Sequence, residues 1–308
     1  MELIKEKIFV LFPMISTIGL LIVIPAVFLF TLWKTSFTSK FEWIVDAAST
    51  TAFVFWVFQS GNWAWIGYYF RYLLVIILIY VLIHSWRKVR ASPFKIKYNS
   101  PQKFTIGMYL FLIVLFGSYN VFAITSYSTD DPAIELQFPL KGGAYYIGQG
   151  GNHVLLNYHQ EYLPQQYALD ILKVNALGIR ANGLYPKDLD KYQIYGENLY
   201  SPCDAKVIEA QNGLPDFTPP DSDPENATGN YITLICDHSD ATIYIAHMQE
   251  GSVMVNPDEM VKAGQKIGKV GNSGNTSEPH LHIHAEKDGV GIPIQFNNKF
   301  LARNNLMR

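Results

Sequence analysis

Seven of the eight histidines lie beyond residue 150, and three of them fall in one short run, Pro279-His-Leu-His-Ile-His-Ala285. Along an extended strand successive side chains point to opposite faces. His280, His282 and His284 would then share one face, with Leu281 and Ile283 on the other. Same-face neighbours are about 7 Å apart, near enough for two imidazoles to reach one ion or the water it activates. A lone strand histidine is usually structural, but three on one face opposite two aliphatics point to chemistry. A zinc ion that activates water takes three protein ligands and keeps a fourth position open. Asp170, in Gln166-Tyr-Ala-Leu-Asp170-Ile, is the candidate carboxylate. An acid set between Leu169 and Ile171 would be buried, and a buried charge needs a partner. A turn or helix-capping aspartate is the competing reading, and it fits poorly between two large aliphatics.

The elements that must carry these residues read as β-strands. Ala205–Ala210 alternates, Tyr231–Cys236 is mostly apolar, and Ala241–Ala246 is rich in β-branched and aromatic residues. Lys266–Val270 follows an Ala-Gly turn and Leu281–Ala285 follows Pro279, with no long helical periodicity between them. Strands at this spacing predict an all-β sandwich or barrel-like sheet. Residues 211–230 are rich in Pro, Asp, Asn and Gly and read as an exposed excursion between two strands.

The rest of the 308-residue chain differs in kind. Residues 1–128 hold eleven Lys/Arg against four acids (+7), and residues 129–308 hold thirteen against twenty-two (−9), which sum to the net −2. An acidic soluble half excludes nucleic acid as the expected partner, since phosphate binding needs a basic face. Ile8–Trp33, Trp65–Trp86 and Phe104–Tyr127 are each long and apolar enough to span a bilayer, with aromatic residues at the ends of the last two. Arg71 sits about one turn inside the second span, where it would snorkel or face a partner helix. Trp43–Phe58 contains Asp46 and is ambiguous, so three or four spans are expected. The boundary falls near Ser128-Thr-Asp-Asp-Pro132.

Arg87–Lys103 carries six basic residues and no acid, which places it on the cytoplasmic side. Residues 129–308 would then face outward. The expected location is a multi-pass cell membrane protein in contact with membrane lipid. Cys203 and Cys236, the only cysteines, both fall in the outward half on predicted strands of one sheet, so a disulfide is expected. Two buried free thiols are the alternative.

Together these residues resemble the LytM/lysostaphin family of zinc peptidases over roughly 140–290. The strongest part is the glycine-rich turn from Gly268 that leads into the His-x-His strand. The resemblance implies that His282 binds zinc and His280 is a general base. Tyr244-Ile-Ala-His247-Met resembles the family's Tyr-Ala-His-Leu segment, which implies that His247 steadies the tetrahedral intermediate. Asp170 maps onto the family's aspartate ligand, and Ser201-Pro-Cys-Asp-Ala-Lys-Val207 resembles the entry to its core sheet.

One position departs from the family pattern. Where the family has its first zinc-binding histidine this chain has Gln166, and an amide oxygen is a poor zinc ligand. His159, in Asn157-Tyr-His159, lies seven residues upstream and is the expected replacement, an arrangement that resembles a subset of the family. A surface histidine of no importance is the alternative. His284 leads away from His280 along the strand, His238 sits in a turn-like run and His153 follows Gly-Gly.

The resemblance implies a membrane-anchored metalloendopeptidase acting on peptidoglycan peptide. An inactive member that binds the wall or a partner and regulates other hydrolases is the main alternative. A carrier module is disfavoured because Val261–Gly268 lacks the acceptor-lysine motif. Transport or signalling is disfavoured because intramembrane charges are few.

Overall fold

The computed structural model describes residues 12–308. The chain divides into two compact units. One is formed by Ile15–Trp63 with Tyr69–Ile124, and the other includes Ala64–Tyr68 and Thr125–Arg308.

The first unit is helical: α1 (Phe12–Lys34), α2 (Lys40–Ser60), α3 (Phe70–Val89) and α4 (Ser100–Thr125). All four helices are long and apolar enough, by length and composition, to cross a membrane. The ambiguous stretch Trp43–Phe58 is the body of α2, which Ser39 caps by accepting a hydrogen bond from the Glu42 amide. Asp46 is tolerated there because it is buried and accepts from the Thr50 hydroxyl at 3.2 Å. Part of the expected first span, residues 8–11, lies outside the described residues.

The expected span Trp65–Trp86 needs correction at its start. Trp63–Trp65 is a single 3-10 turn, Gly67 takes φ +122°, and helix α3 begins only at Phe70. Trp65 is therefore no part of that helix, and it packs with the β-rich unit. Arg71 is buried with its guanidinium 3.9 Å from the Phe58 ring centroid, so of its two expected placements it takes the one facing a neighbouring helix. Helix α4 starts before the expected Phe104. Asn99 and Gln102 exchange side chain–main chain hydrogen bonds at 3.0 Å each, and Pro101 fits the first turn.

The second unit is built on a nine-stranded sheet. Its strands are β1 (Ala144–Gln149), β2 (Leu169–Val174), β3 (Ala205–Gln211), β4 (Asn230–Cys236), β5 (Thr242–Met248), β6 (Met260–Val261), β7 (Leu281–Lys287), β8 (Val290–Ile292) and β9 (Leu306–Met307). They pair in the order β9-β1-β2-β7-β5-β4-β3-β6, with β8 added to β7. The pairs around β7 are antiparallel. Two small sheets flank it, one of Ile134–Leu136, Ile294–Phe296 and Lys299–Phe300, the other of Asn198–Tyr200 with Lys266–Lys269.

The core explains the alternation seen in the sequence. Leu281, Ile283 and Ala285 of β7 enter one aliphatic cluster with Ile171, Val207, Leu234, Ile243 and Ile245. The histidine face of the same strand is buried too, with His280, His282 and His284 at 8%, 4% and 4% exposure. Both faces of β7 are thus largely buried, one for packing and one for polar contacts.

Cys203 and Cys236 form a disulfide with a Cα–Cα distance of 5.7 Å. Cys236 ends β4, whereas Cys203 precedes β3 instead of lying within it. Residues 211–230, expected as an exposed excursion, fold back onto the glycine-rich turn. The Phe217 amide donates to Asn272 O at 3.1 Å, and Asp216 accepts from the Asn272 amide at 2.7 Å.

Candidate active site

Sheet register sets the first half of the site. Asp170 of β2 lies directly opposite His282 of β7, and His282 lies opposite Ala246 of β5. Directly paired residues bring their Cβ atoms within about 5 Å, so a carboxylate and an imidazole meet without any loop. Asp170 Oδ1 lies 2.9 Å from His282 Nδ1.

The second half comes from a turn. Tyr158–Glu161 is a four-residue 3-10 helix whose N-cap is Asn157, and it presents His159 with Nε2 at 3.1 Å from the same oxygen of Asp170. Asn157 is fully buried, and its amide donates to Gly151 O, Gln166 O and Ala168 O. That one side chain ties the turn to the approach to β2. The Gln166 side chain takes no part in the cluster, because its amide donates to Gly291 O at 3.1 Å.

His159, Asp170 and His282 thus present one potential ligand atom each, all within 4.8 Å of one another, and His247, His280 and His282 form a second such group. A third imidazole approaches Asp170 without bonding to it. His280 Nε2 stands 3.4 Å from Asp170 Oδ1, is buried and has no hydrogen-bond partner. Three imidazole nitrogens converging on one buried carboxylate oxygen, one of them orphaned, is a donor set of the chemistry and closeness that zinc takes.

The remaining ring nitrogens fix the tautomers. His280 Nδ1 lies 2.8 Å from Glu278 O, and His247 Nδ1 lies 2.9 Å from Ser273 O. A carbonyl can only accept, so both rings carry their hydrogen on Nδ1 and leave Nε2 as the acceptor. His247 reaches this position because the register of β5 against β4 shifts between Asn230 and Ile232, and its own φ is +57°. Such backbone is strained for a residue with a Cβ and aims the side chain away from its regular place.

Burial alone would raise the Asp170 pKa, but His159 and His280 beside it hold it well below the usual carboxylate range. For His280 the balance tips the other way: burial lowers its pKa, yet the charge and proximity of Asp170 outweigh it and leave the value raised. Burial, reinforced by His280 and His282, holds His247 well below an ordinary imidazole. His282 is also lowered, chiefly by burial.

Two neighbours were given no role in the sequence reading. His284, set aside as leading away from His280, has its Nδ1 2.9 Å from His282 Nε2 and its ring stacked on Tyr244 with centroids 4.6 Å apart. Burial pushes its pKa down to about 2, so it stays neutral. The shared face of β7 was the available clue. Tyr158 points its hydroxyl at Asp170 Oδ2 from 3.4 Å, and the charge of Asp170 raises its pKa, which keeps the phenol protonated. The cluster opens into a cleft of about 670 Å³ lined in part by Tyr158, His159, Tyr244, His247, His282 and Glu286.

Residues 189–293 match the family described as Peptidase family M23, a stretch that includes His247, His280 and His282 but not His159 or Asp170. A zinc-containing peptidase from Vibrio cholerae is similar at 20% identity and a TM-score of 0.32, over 53% of this chain and 39% of that one. The catalytic domain of lysostaphin from Staphylococcus simulans is similar at 24% identity and a TM-score of 0.23, over 35% of this chain and 80% of that one. The chain thus spans less than half the length of the Vibrio protein.

Proposed function

We propose that this chain, whose residues 189–293 match peptidase family M23 and whose motifs resemble the LytM/lysostaphin type, is a membrane-anchored zinc metalloendopeptidase hydrolysing peptide bonds of peptidoglycan. The observation that carries this reading is the convergence of His159, Asp170 and His282 beneath two imidazoles whose Nε2 atoms are free to accept a proton. In the proposal His159 Nε2, an Asp170 oxygen and His282 Nδ1 hold the ion. When bound, zinc polarises a carbonyl as a Lewis acid and makes a water nucleophilic near neutral pH.

The protein's own groups then handle the protons. His280 Nε2 takes the proton of the attacking water and returns it to the leaving amine, and the Glu278 carbonyl keeps the ring in the tautomer that can do so. Tyr158 retains its proton and, by turning its hydroxyl from Asp170 Oδ2, can donate to the oxygen on which negative charge grows. His247 has its Nδ1 hydrogen committed to Ser273 O, so it would serve the same oxygen only as an imidazolium whose second proton comes from water in the cleft. Negative charge developing on the substrate is what would draw that proton against the effect of burial. His284 accepts from His282 Nε2, so that ring is oriented from its far side.

The substrate class follows from family and topology. The basic stretch Arg87–Lys103 supports an outward-facing β unit, where a wall peptide is the available substrate. Zinc analysis of the full chain in detergent, paired with digestion of purified peptidoglycan, tests the activity. One equivalent of zinc with release of new amino termini supports the reading. Bound zinc with intact peptidoglycan would favour the non-hydrolytic regulator, for which the loss of a histidine at Gln166 is the supporting observation. Protease added to wall-stripped cells should remove the β unit, and protection until the membrane is breached would reverse the topology.

A further inference from the structure

Behind His280 lies a buried ion pair that the proposed reaction does not use. Arg180 is 1% exposed and Glu278 9%. The Arg180 Nε lies 2.9 and 2.8 Å from the two carboxylate oxygens of Glu278, and its Nη2 lies 2.7 Å from Oε2. The main-chain carbonyl of the same Glu278 accepts the Nδ1 hydrogen of His280, and the Thr276 hydroxyl donates to that carbonyl at 2.9 Å. The residue that fixes the tautomer of the base is thus anchored through its own side chain.

The anchor is closed by residues from a distant part of the sequence. The Trp65 ring covers the Arg180 guanidinium, with Cζ 3.8 Å from its centroid, and stacks on Tyr185 at 5.6 Å and 10°. The Tyr185 hydroxyl donates to Ser277 O at 2.7 Å, one residue before Glu278. The main chain holds this segment at two points: Arg180 N donates to Ala64 O and Tyr68 N to Gly178 O, each at 3.0 Å. Gly178 has φ +76°, and a Cβ there would collide with Tyr68. Ala64–Tyr68, which comes from between α2 and α3, is therefore fitted into the wall that supports the loop bearing His280.

We propose that Glu278, Arg180 and Trp65 are positioning residues for His280, and that Ala64–Tyr68 is thereby a working part of the hydrolytic site. This rests on the peptidase reading above. A paired guanidinium and carboxylate held in fixed geometry under an aromatic face orient the Glu278 carbonyl more sharply than a solvated loop would. None of the three touches the ligand set, so their loss should disturb proton transfer and leave metal binding intact.

The test uses the full chain in detergent, with Glu278→Gln, Arg180→Lys and Trp65→Ala compared for kcat, KM, zinc content and the nitrogen NMR signals of His280. Glu278→Gln should lower kcat about tenfold, the scale of a lost supporting partner, with KM and zinc content within about twofold. Arg180→Lys should keep part of the rate, because a point charge still reaches the carboxylate. Trp65→Ala should show a smaller loss with the same split. The wild type should show His280 protonated on Nδ1, and Glu278→Gln a mixture of tautomers.

Full kcat in Glu278→Gln, or loss of zinc in step with the rate, overturns the proposal. If Glu278→Gln does not fold because it strands a buried charge, the double variant Arg180→Gln/Glu278→Gln removes both charges, and the same criteria apply to it and to Trp65→Ala. A wild type without hydrolytic activity would overturn the peptidase reading alone. The NMR comparison then still decides the positioning role, since an unchanged single tautomer in the variants refutes it.

Discussion

Asp170 receives imidazoles from two scaffolds of different stiffness. His282 arrives on a central strand, where main-chain pairing to β2 and β5 fixes its place whatever side chain it bears. His159 arrives on a four-residue turn held by a few side-chain hydrogen bonds, chiefly those of the buried Asn157 amide and of Gln160. A sheet spreads the cost of a perturbation over many hydrogen bonds, while a turn concentrates it and opens more readily. The sheet half of the site should therefore lose only what the altered side chain itself supplied. The turn half should lose geometry as well.

The largest effect tests the side both halves share. His282→Ala or Asp170→Ala leaves two of the three proposed ligands, and zinc binding and hydrolysis should both fall below detection. Full zinc occupancy in either variant would remove that residue from the ligand set. His280→Ala is the next largest and should separate rate from metal. Zinc stays, and kcat drops by the ~10²–10⁴ expected of a missing general base. Parallel loss of metal would mean that the roles of His280 and His282 are wrongly assigned.

Asn157→Ala probes the turn without touching a proposed ligand. It frees one end of the His159 turn, so zinc affinity should weaken about 10- to 100-fold, as when a supporting partner of a ligand is lost. In the sheet half, Ile283→Val should lower thermal stability by about 1 kcal/mol with zinc affinity unchanged. The comparison between the two scaffolds fails if both variants change zinc affinity equally in a competition titration.

The same contrast governs what was legible in the sequence. Strand periodicity announced β7 and its two faces, because alternation is a local property, and long apolar runs announced the helices for the same reason. The pairing of His282 with Asp170 was not legible, since register is set by the whole sheet. His159 was reached only through the missing histidine at 166, and nothing in the sequence showed that Asn157 would hold its turn. The start of the span at Trp65 was misread because hydropathy sees an apolar aromatic run and cannot see Gly67 breaking the helix or Tyr185 receiving the indole. His284 was dismissed by its distance from His280, although its useful neighbour is His282.

The smallest expected effect is also the most direct check on the proposal that the turn half supplies the ligand missing at position 166. If position 166 still took part in metal binding, through its amide or a water, Gln166→Ala would weaken zinc severely. In the structure its side chain instead donates to Gly291 O, and its main-chain carbonyl accepts from Asn157 and Gln160. The substitution removes only the first of these contacts, a hydrogen bond worth about 1 kcal/mol, and leaves the two carbonyl contacts that position the turn. Zinc affinity should therefore change by less than about threefold, under 0.7 kcal/mol at 1.4 kcal/mol per decade, while thermal stability falls slightly. Gln166→His sharpens the point: a histidine placed there lacks the turn geometry to face Asp170 and should not rescue His159→Ala. Rescue of zinc binding in that double variant would show that the position can still deliver a ligand, and that His159 is one of two routes to the same site.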